Sequence, residues 1–148
     1  MKWLLDTNVV SESLRPRPDQ RVLAWITAHP GDQLAISVLT LAELRSGVAV
    51  LQDNNRRSEL ERWFATYINP TFGDRTLSVT LDILIDWLQL SRLLHVKGQP
   101  RTAVDMLMAS TARVHDLIVV TRNTRHFANT GVVLYDPWTG KTHAMDAP

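Results

Sequence analysis

The sequence predicts an α/β fold in which helices pack around a mostly parallel sheet, and three observations lead to this class. Short apolar segments alternate with longer segments of helical periodicity, and few hairpin turns join them. The strongest strand pattern, over residues 117–121, is continuous and β-branched, as is typical of a strand buried on both faces. The 148 residues contain no linker or repeat, which fits one domain.

The first half of the chain contains two strand patterns and four helical ones. Pro16 and Pro18 end the first helix, Asp19 is a favourable N-cap for the second, and Pro30 ends it. In chain order we expect strands over 3–5 and 33–37, and helices over 9–14, 19–30, 39–51 and 57–68.

The second half continues the alternation and ends in a polar tail. We expect strands over 76–79, 117–121 and 132–135, and helices over 81–96 and 102–115, with one further helical turn after Asn123. Thr102 is the predicted N-cap of the last long helix. Residues 1–138 then form the domain, and residues 139–148 form a polar C-terminal tail that we expect to be loose.

Composition excludes several classes of protein. Without cysteine the chain forms no disulfide, thiolate zinc site, iron–sulfur cluster or cysteine nucleophile. Its 16 basic and 15 acidic residues nearly cancel, so any nucleic-acid binding has to be local. No apolar run approaches the roughly 18–20 residues of a membrane span, and Asp6 follows the first apolar residues too closely for a secretory signal. We therefore expect a cytoplasmic protein.

The informative residues are acids in apolar surroundings. Asp6 follows a buried strand, Glu43 interrupts an apolar stretch, and Asp105 shares a helix face with small and apolar side chains. Asn123 follows a second buried strand, and the carboxyl ends of parallel strands meet at one sheet edge. We expect these four side chains to converge on one crevice, with the two helical acids above the edge.

Each of these residues also has an ordinary structural role open to it. Asp6 is a possible helix N-cap, and Asn123 is a common turn residue. Glu43 could face solvent or pair with an arginine, and Asp105 could be a buried acid tied to an arginine. The expected convergence of all four residues on one crevice is what favours a functional site.

Converging carboxylates repel each other unless a cation is present, and carboxylate and amide oxygens select Mg²⁺ or Mn²⁺. Such ions drive in-line displacement at phosphorus. Arg122 and Arg125 flank Asn123 and could contact phosphates of the same strand. No pair of histidines has the spacing of a zinc helix, and the chain lacks both a nucleophile elbow and a phosphate-binding glycine loop.

Three segments, taken in order, resemble the PIN-domain ribonucleases. They are residues 4–12, 37–47 and 120–124, which read LLDTNVVSE, SVLTLAELRSG and VTRNT. Asp105 lies between the second and the third. The likeness extends from Met1 to about Trp138 and is greatest to the VapC-type toxins of bacterial toxin–antitoxin pairs, in their FitB-like branch.

This resemblance implies a three-layer α/β/α sandwich and a Mg²⁺- or Mn²⁺-dependent endoribonuclease activity. Asp6, Glu43 and Asp105 would be the metal ligands, and Asn123 would occupy a position where relatives carry Asn or Asp. The remaining implied site residues line the same crevice: Thr7, Asn8 and Thr121. The resemblance further implies a homodimer, neutralised by a cognate VapB-like antitoxin in a higher assembly, with RNA as substrate.

Two departures from the family pattern leave the number of metal ions open. Asn123 supplies no charge, and His126 stands where many relatives have an aspartate. They mildly favour an alternative function, a catalytically weak or inactive PIN-like module that binds RNA or a protein. A third alternative, a phosphatase of the haloacid-dehalogenase type, requires a second aspartate where this chain has Asn8.

Overall fold

A computed structural model of the chain describes all residues, 1–148, and places a six-stranded sheet between two layers of helices. The strands are β1 (Trp3–Leu5), β2 (Leu34–Ser37), β3 (Thr76–Leu77), β4 (Ile118–Val120), β5 (Val133–Asp136) and β6 (Lys141–Ala144). They lie in the order β3-β2-β1-β4-β5-β6, and every neighbouring pair is parallel except β5 and β6. The predicted α/β class with a mostly parallel sheet is confirmed.

Seven α-helices connect and cover the strands. They are α1 (Thr7–Val10), α2 (Gln20–Ala28), α3 (Val38–Ala49), α4 (Asn54–Trp63), α5 (Asn69–Phe72), α6 (Leu81–Val96) and α7 (Ala103–Val114). A π-helical segment, Phe64–Ile68, joins α4 to α5, and single 3₁₀ turns follow α1 and β4 at Ser11–Leu14 and Thr124–Phe127. No helix combines the length and the apolar character that crossing a membrane requires.

Side-chain caps determine where several helices begin. The Asp19 carboxylate accepts the Arg21 N–H ahead of α2, and the Thr102 hydroxyl accepts the Asp105 N–H ahead of α7, so both predicted N-caps are confirmed. Helix α4 begins three residues earlier than expected, because Asp53 accepts backbone N–H groups from its first turn. A cap satisfies N–H groups that have no partner within the helix.

The sheet separates two hydrophobic cores. Successive residues of a strand point to opposite faces, so in β1 Leu5 packs under helices α1–α5 whereas Leu4 packs under α6 and α7. Phe64 and Phe72 are the large, fully buried side chains of the first core, and Met106 is one of those of the second. This arrangement is the three-layer sandwich that the sequence resemblance implies.

The C-terminal tail differs from the expectation of a loose segment. Lys141–Ala144 forms β6, antiparallel to β5. The Met145 N–H donates to the Val132 carbonyl, and the Gly131 N–H donates to the Asp146 carbonyl. Because β6 is an exposed edge strand, its mostly polar sequence has no apolar alternation by which to predict it.

The chain order of the strands creates a crevice beside β1. The chain passes from β1 outward to β2 and β3 and then returns to the other side of β1 as β4. In such sheets ligands bind beyond the carboxyl ends of the strands at the point where the order reverses. Leu5 of β1 pairs with Val120 of β4, so the residues that follow them, Asp6 and Thr121, lie side by side there.

Replacing the fully buried Leu4 tests the second core. We expect Leu4→Ala to lower the free energy of unfolding by about 2–5 kcal/mol, because it removes apolar contacts and leaves a cavity. The matched control is Leu93→Ala on α6, since that side chain is 48% exposed. Urea titration followed by tryptophan fluorescence measures both, and equal losses in the two variants would contradict the assignment of the core.

Candidate active site

An acidic cleft of about 570 Å³ opens at the carboxyl ends of β1 and β4. It is lined by side chains from the ends of these strands and from α3 and α7. Six of the nine predicted site residues are among them: Asp6, Thr7, Asn8, Glu43, Asp105 and Asn123. Four separate segments of the chain therefore contribute polar side chains to one place.

Asp6 lies at the base of the cleft and uses both of its carboxylate oxygens. Its Oδ1 accepts the backbone N–H of Thr7 at 2.6 Å and caps α1, so the ordinary structural role considered for this residue is present as well. Its Oδ2 accepts hydrogen bonds from Asn8 Nδ2 at 2.7 Å and from the Thr121 hydroxyl at 2.6 Å. The carboxylate is thereby fixed in orientation from both strands.

Thr121 and Asn8 connect the two strand ends beneath the cleft. Thr121 is fully buried, and its hydroxyl donates to Asp6 while accepting the backbone N–H of Asn123 at 3.0 Å. Asn8 Oδ1 accepts the Arg122 N–H at 3.3 Å. Thr121 thus supports the cleft from below and does not line it.

Glu43 lies above Asp6 on α3 and is exposed, whereas the sequence suggested apolar surroundings for it. Its Oε2 accepts a hydrogen bond from the Thr7 hydroxyl. Thr40, Leu44 and Val48 are the buried residues of α3, and Glu43 extends from the middle of the helix into the cleft. The side chain makes no ion pair, so the arginine partner considered for it is absent.

Asp105 approaches from the opposite layer and is held by its own helix cap. The Thr102 hydroxyl accepts the Asp105 N–H at 3.1 Å and donates to Asp105 Oδ2 at 2.6 Å. His126 Nδ1 lies 3.4 Å from the same oxygen. The next turns of α7 bury Met108 and Ala109, so the predicted shared face of Asp105 with apolar and small residues is present.

The electrostatic environment of Asp6 is unfavourable to its charge. Burial raises the pKa of Asp6 above its ordinary value of 3.8, hydrogen bonds from Thr121 and Thr7 oppose that rise, and the nearby charges of Glu43 and Asp105 add to it. The net pKa shift is upward. A nearby cation is the ordinary means of stabilising such a carboxylate in its ionised form.

The remaining predicted residues lie around the cleft. Asn123 lines it as an exposed side chain at the start of the 3₁₀ turn after β4. Arg122 stacks on the Trp138 ring at 5.6 Å, and neither Arg122 nor Arg125 lines the cleft. Both arginines are exposed near its rim, so a contact with substrate outside the cleft remains a prediction for them.

The donor set fits a hard divalent cation, although the carboxylates do not enclose one point. Three carboxylates and two amides line the cleft, and oxygen ligands of this kind suit Mg²⁺ or Mn²⁺. No three acidic or histidine side chains lie close enough to hold a single ion. Thr7 and Thr102 engage two of the acids, so a shared ion requires rotation of at least one side chain.

Four polar residues that line the cleft were not among the predicted site residues: Ser11, Arg15, Thr102 and His126. Thr102 was predicted only as a cap, yet the Thr-x-x-Asp spacing of a capping box is the signal that connects it to Asp105. Ser11 and Arg15 carry no such signal, because the turn after α1 is what places them beside the acids.

Comparison with known proteins yields a consistent set of relatives. The PIN domain profile matches residues 3–133. Toxin FitB of Neisseria gonorrhoeae is 36% identical over 135 residues, which cover 91% of this chain and 97% of that protein. A VapC ribonuclease of Sinorhizobium fredii is 34% identical over 135 residues, 91% of this chain and 96% of the relative. The crystal structure of FitAcB from Neisseria gonorrhoeae superposes with a TM-score of 0.87 and 36% identity, covering 92% of this chain and 98% of that one.

The upward pKa shift of Asp6 predicts a pH dependence of stability in metal-free buffer. A carboxyl whose pKa is higher in the folded chain than in the unfolded one opposes folding when it ionises. The penalty is absent below the ordinary pKa of 3.8 and develops as pH rises through the folded-state pKa. We therefore expect wild type to lose stability relative to Asp6→Asn as pH rises above 3.8.

Chemical denaturation in the presence of a chelator measures this difference at each pH. The matched control is Asp32→Asn, which removes an acid of the same type at an exposed position outside the cleft. A difference between wild type and Asp6→Asn that is independent of pH would contradict the electrostatic description of the cleft.

Proposed function

The chain belongs to the PIN-domain family, and on that premise we propose that it is a metal-dependent endoribonuclease toxin of the VapC type. The observation that carries the proposal is the cleft, in which the three acids converge from β1, α3 and α7 without an arginine or lysine to pair with them. Relatives named as a toxin and as a ribonuclease, each aligned over more than nine-tenths of this chain, support the same activity.

The proposed cofactor is Mg²⁺, with Mn²⁺ as a substitute. Asp6, Glu43 and Asp105 would hold it, and Asn123 would add a neutral oxygen ligand. When bound, such an ion activates water and stabilises the negative charge that develops at phosphorus and on the leaving oxygen. The cleft would hold one or two such ions.

The protein's own contribution is to hold the carboxylates of the cleft in fixed orientations. Thr121, which follows β4, and Asn8, in α1, hold the Asp6 carboxylate, and Thr102 holds Asp105 through its helix cap. Preorganised ligands of this kind avoid the cost of ordering them during the reaction. Glu43 is the most exposed of the three acids and the one whose side chain is freest to adjust.

The proposed partners are a cognate VapB-like antitoxin and a second copy of the chain. An apolar groove lined by Leu23, Ile26, Trp63 and Tyr67 suits an amphipathic helix of an antitoxin. Helix α6 exposes Leu84, Ile85 and Leu88, which supports a homodimer through this face. A small gene adjacent to that of the toxin, encoding a DNA-binding protein, would identify the antitoxin.

Replacing the acids tests the proposed activity. With Mg²⁺ and a structured RNA, we expect Asp6→Asn and Asp105→Asn to lower the cleavage rate at least about 100-fold, because each removes a charge that holds the ion. Chelation should abolish cleavage by wild type, and Mg²⁺ or Mn²⁺ should restore it. Gel assays with antitoxin-free protein measure these rates.

Asp32→Asn again serves as the matched control and should cleave RNA as wild type does. Undiminished cleavage by the Asp6 and Asp105 variants would refute the site assignment. Tight RNA or protein binding by wild type, with no cleavage at any metal concentration, would instead establish the alternative function, an inactive PIN-like binding module.

Asn123 offers a second test, since it provides no charge where relatives also carry aspartate. We expect Asn123→Asp to lower the Mg²⁺ concentration needed for half-maximal cleavage, because a fourth carboxylate strengthens cation binding. Asn55→Asp, which adds the same charge on the exposed surface of α4, should leave that concentration unchanged. An identical Mg²⁺ requirement in wild type and Asn123→Asp would place residue 123 outside the metal site.

A further inference from the structure

One arginine lines the acidic cleft, and neither the sequence patterns nor the proposed metal site accounts for it. Among the residues that line the cleft, Arg15 is the sole arginine or lysine. It follows the 3₁₀ turn after α1, and its backbone is extended, with φ −74° and ψ 147°. Pro16 favours this conformation, because a residue that precedes proline is disfavoured from the helical region.

Glu12 fixes the base of the Arg15 side chain. Only 3% of the Glu12 side chain is exposed, and its Oε2 lies 3.2 Å from Arg15 Nε. Its Oε1 accepts the Asp19 N–H at 2.8 Å, which ties the pair to the start of α2. Because a buried carboxylate is costly without a paired charge, Glu12 strongly favours this position for Arg15.

The guanidinium end of Arg15 is free for another partner. The Arg15 side chain is 57% exposed, its shortest contact with Glu12 is made by Nε, and its Nη atoms make no hydrogen bond in the structure. Arg15 is thus anchored through Nε to Glu12, while the rest of its planar fork is available in the cleft. An arginine fork suits a phosphate group, which it binds through two parallel hydrogen bonds.

We propose that Arg15 binds a phosphate of the RNA substrate inside the cleft and that Glu12 is the positioning residue for it. The inference rests on the proposed endoribonuclease activity and assigns the subsite that its substrate would occupy. It explains how a polyanion enters a cleft that three carboxylates make negative: cations neutralise the acids, and one fixed positive group receives the backbone.

The test compares variants in steady-state cleavage of one structured RNA at saturating Mg²⁺ and several salt concentrations. We expect Arg15→Gln to raise KM about 10- to 100-fold while kcat changes less than about threefold, since a phosphate contact holds the substrate before and during the reaction. The salt dependence of RNA binding should decrease by about one counterion. Arg15→Lys should have the salt dependence of wild type and a KM between those of wild type and Arg15→Gln.

Arg17→Gln is the matched control. This exposed arginine, two residues further on, makes no ion pair and does not line the cleft, so the same loss of charge should leave both KM and the salt dependence unchanged. Glu12→Gln keeps the acceptor for the Asp19 N–H and releases Arg15, so it should raise KM by less than Arg15→Gln does.

The double variant Glu12→Gln/Arg15→Gln removes the risk that an unpaired buried carboxylate unfolds the single variant. It should have the KM of Arg15→Gln alone, because Glu12 acts only through Arg15. A drop in melting temperature without a change in KM or salt dependence would overturn the proposal and leave Arg15 as the structural partner of Glu12. Weaker antitoxin binding with unchanged RNA kinetics would overturn it too. Wild type that fails to cleave RNA would refute the proposed function itself.

Discussion

The parallel pairing of β1 with β4 is the constraint on which the site depends. In this register Leu5 lies opposite Val120, and the Asp6 N–H donates to the Val120 carbonyl at 3.0 Å. Thr121 then lies within hydrogen-bonding distance of the Asp6 carboxylate. A slip of one residue would turn every side chain of β1 to the opposite face and separate these groups. The two cores enforce the register, since Leu4 and Leu5 belong to different ones.

The cleft combines acids that the fold does not neutralise. Burial and the neighbouring carboxylates raise the pKa of Asp6, and Arg15, the one arginine at hand, is engaged by Glu12. Elsewhere the chain pairs its charges in the ordinary way, as Arg113 does with Asp86. The fold therefore holds its acids close together, and their mutual repulsion lowers the stability of the metal-free protein. A bound cation would reduce this repulsion.

Sequence patterns predicted the elements that have a regular apolar face. They failed where tertiary packing or a position at the edge of the sheet determines the structure. Helix α6 was predicted residue for residue, because its apolar residues recur at helical spacing along its whole length. Strand β6 was missed because an exposed edge strand carries no apolar alternation. The acids of the cleft could be predicted from their unusual surroundings, although Glu43 is more exposed than they suggest. The placement of Arg15 depends on a buried ion pair, and no local spacing encodes it.

Glu43 and Asp105 are carried by helices that pack on opposite faces of the sheet and belong to separate cores. The separation of the two acids across the cleft consequently depends on how closely each helix packs on the sheet, which its own hydrophobic side chains determine. Enlarging or shrinking a buried residue in either layer displaces one acid and leaves the other in place. Since a shift of about 1 Å can reduce catalysis about 100-fold, the cores act as spacers for the chemistry as well as supports for the fold.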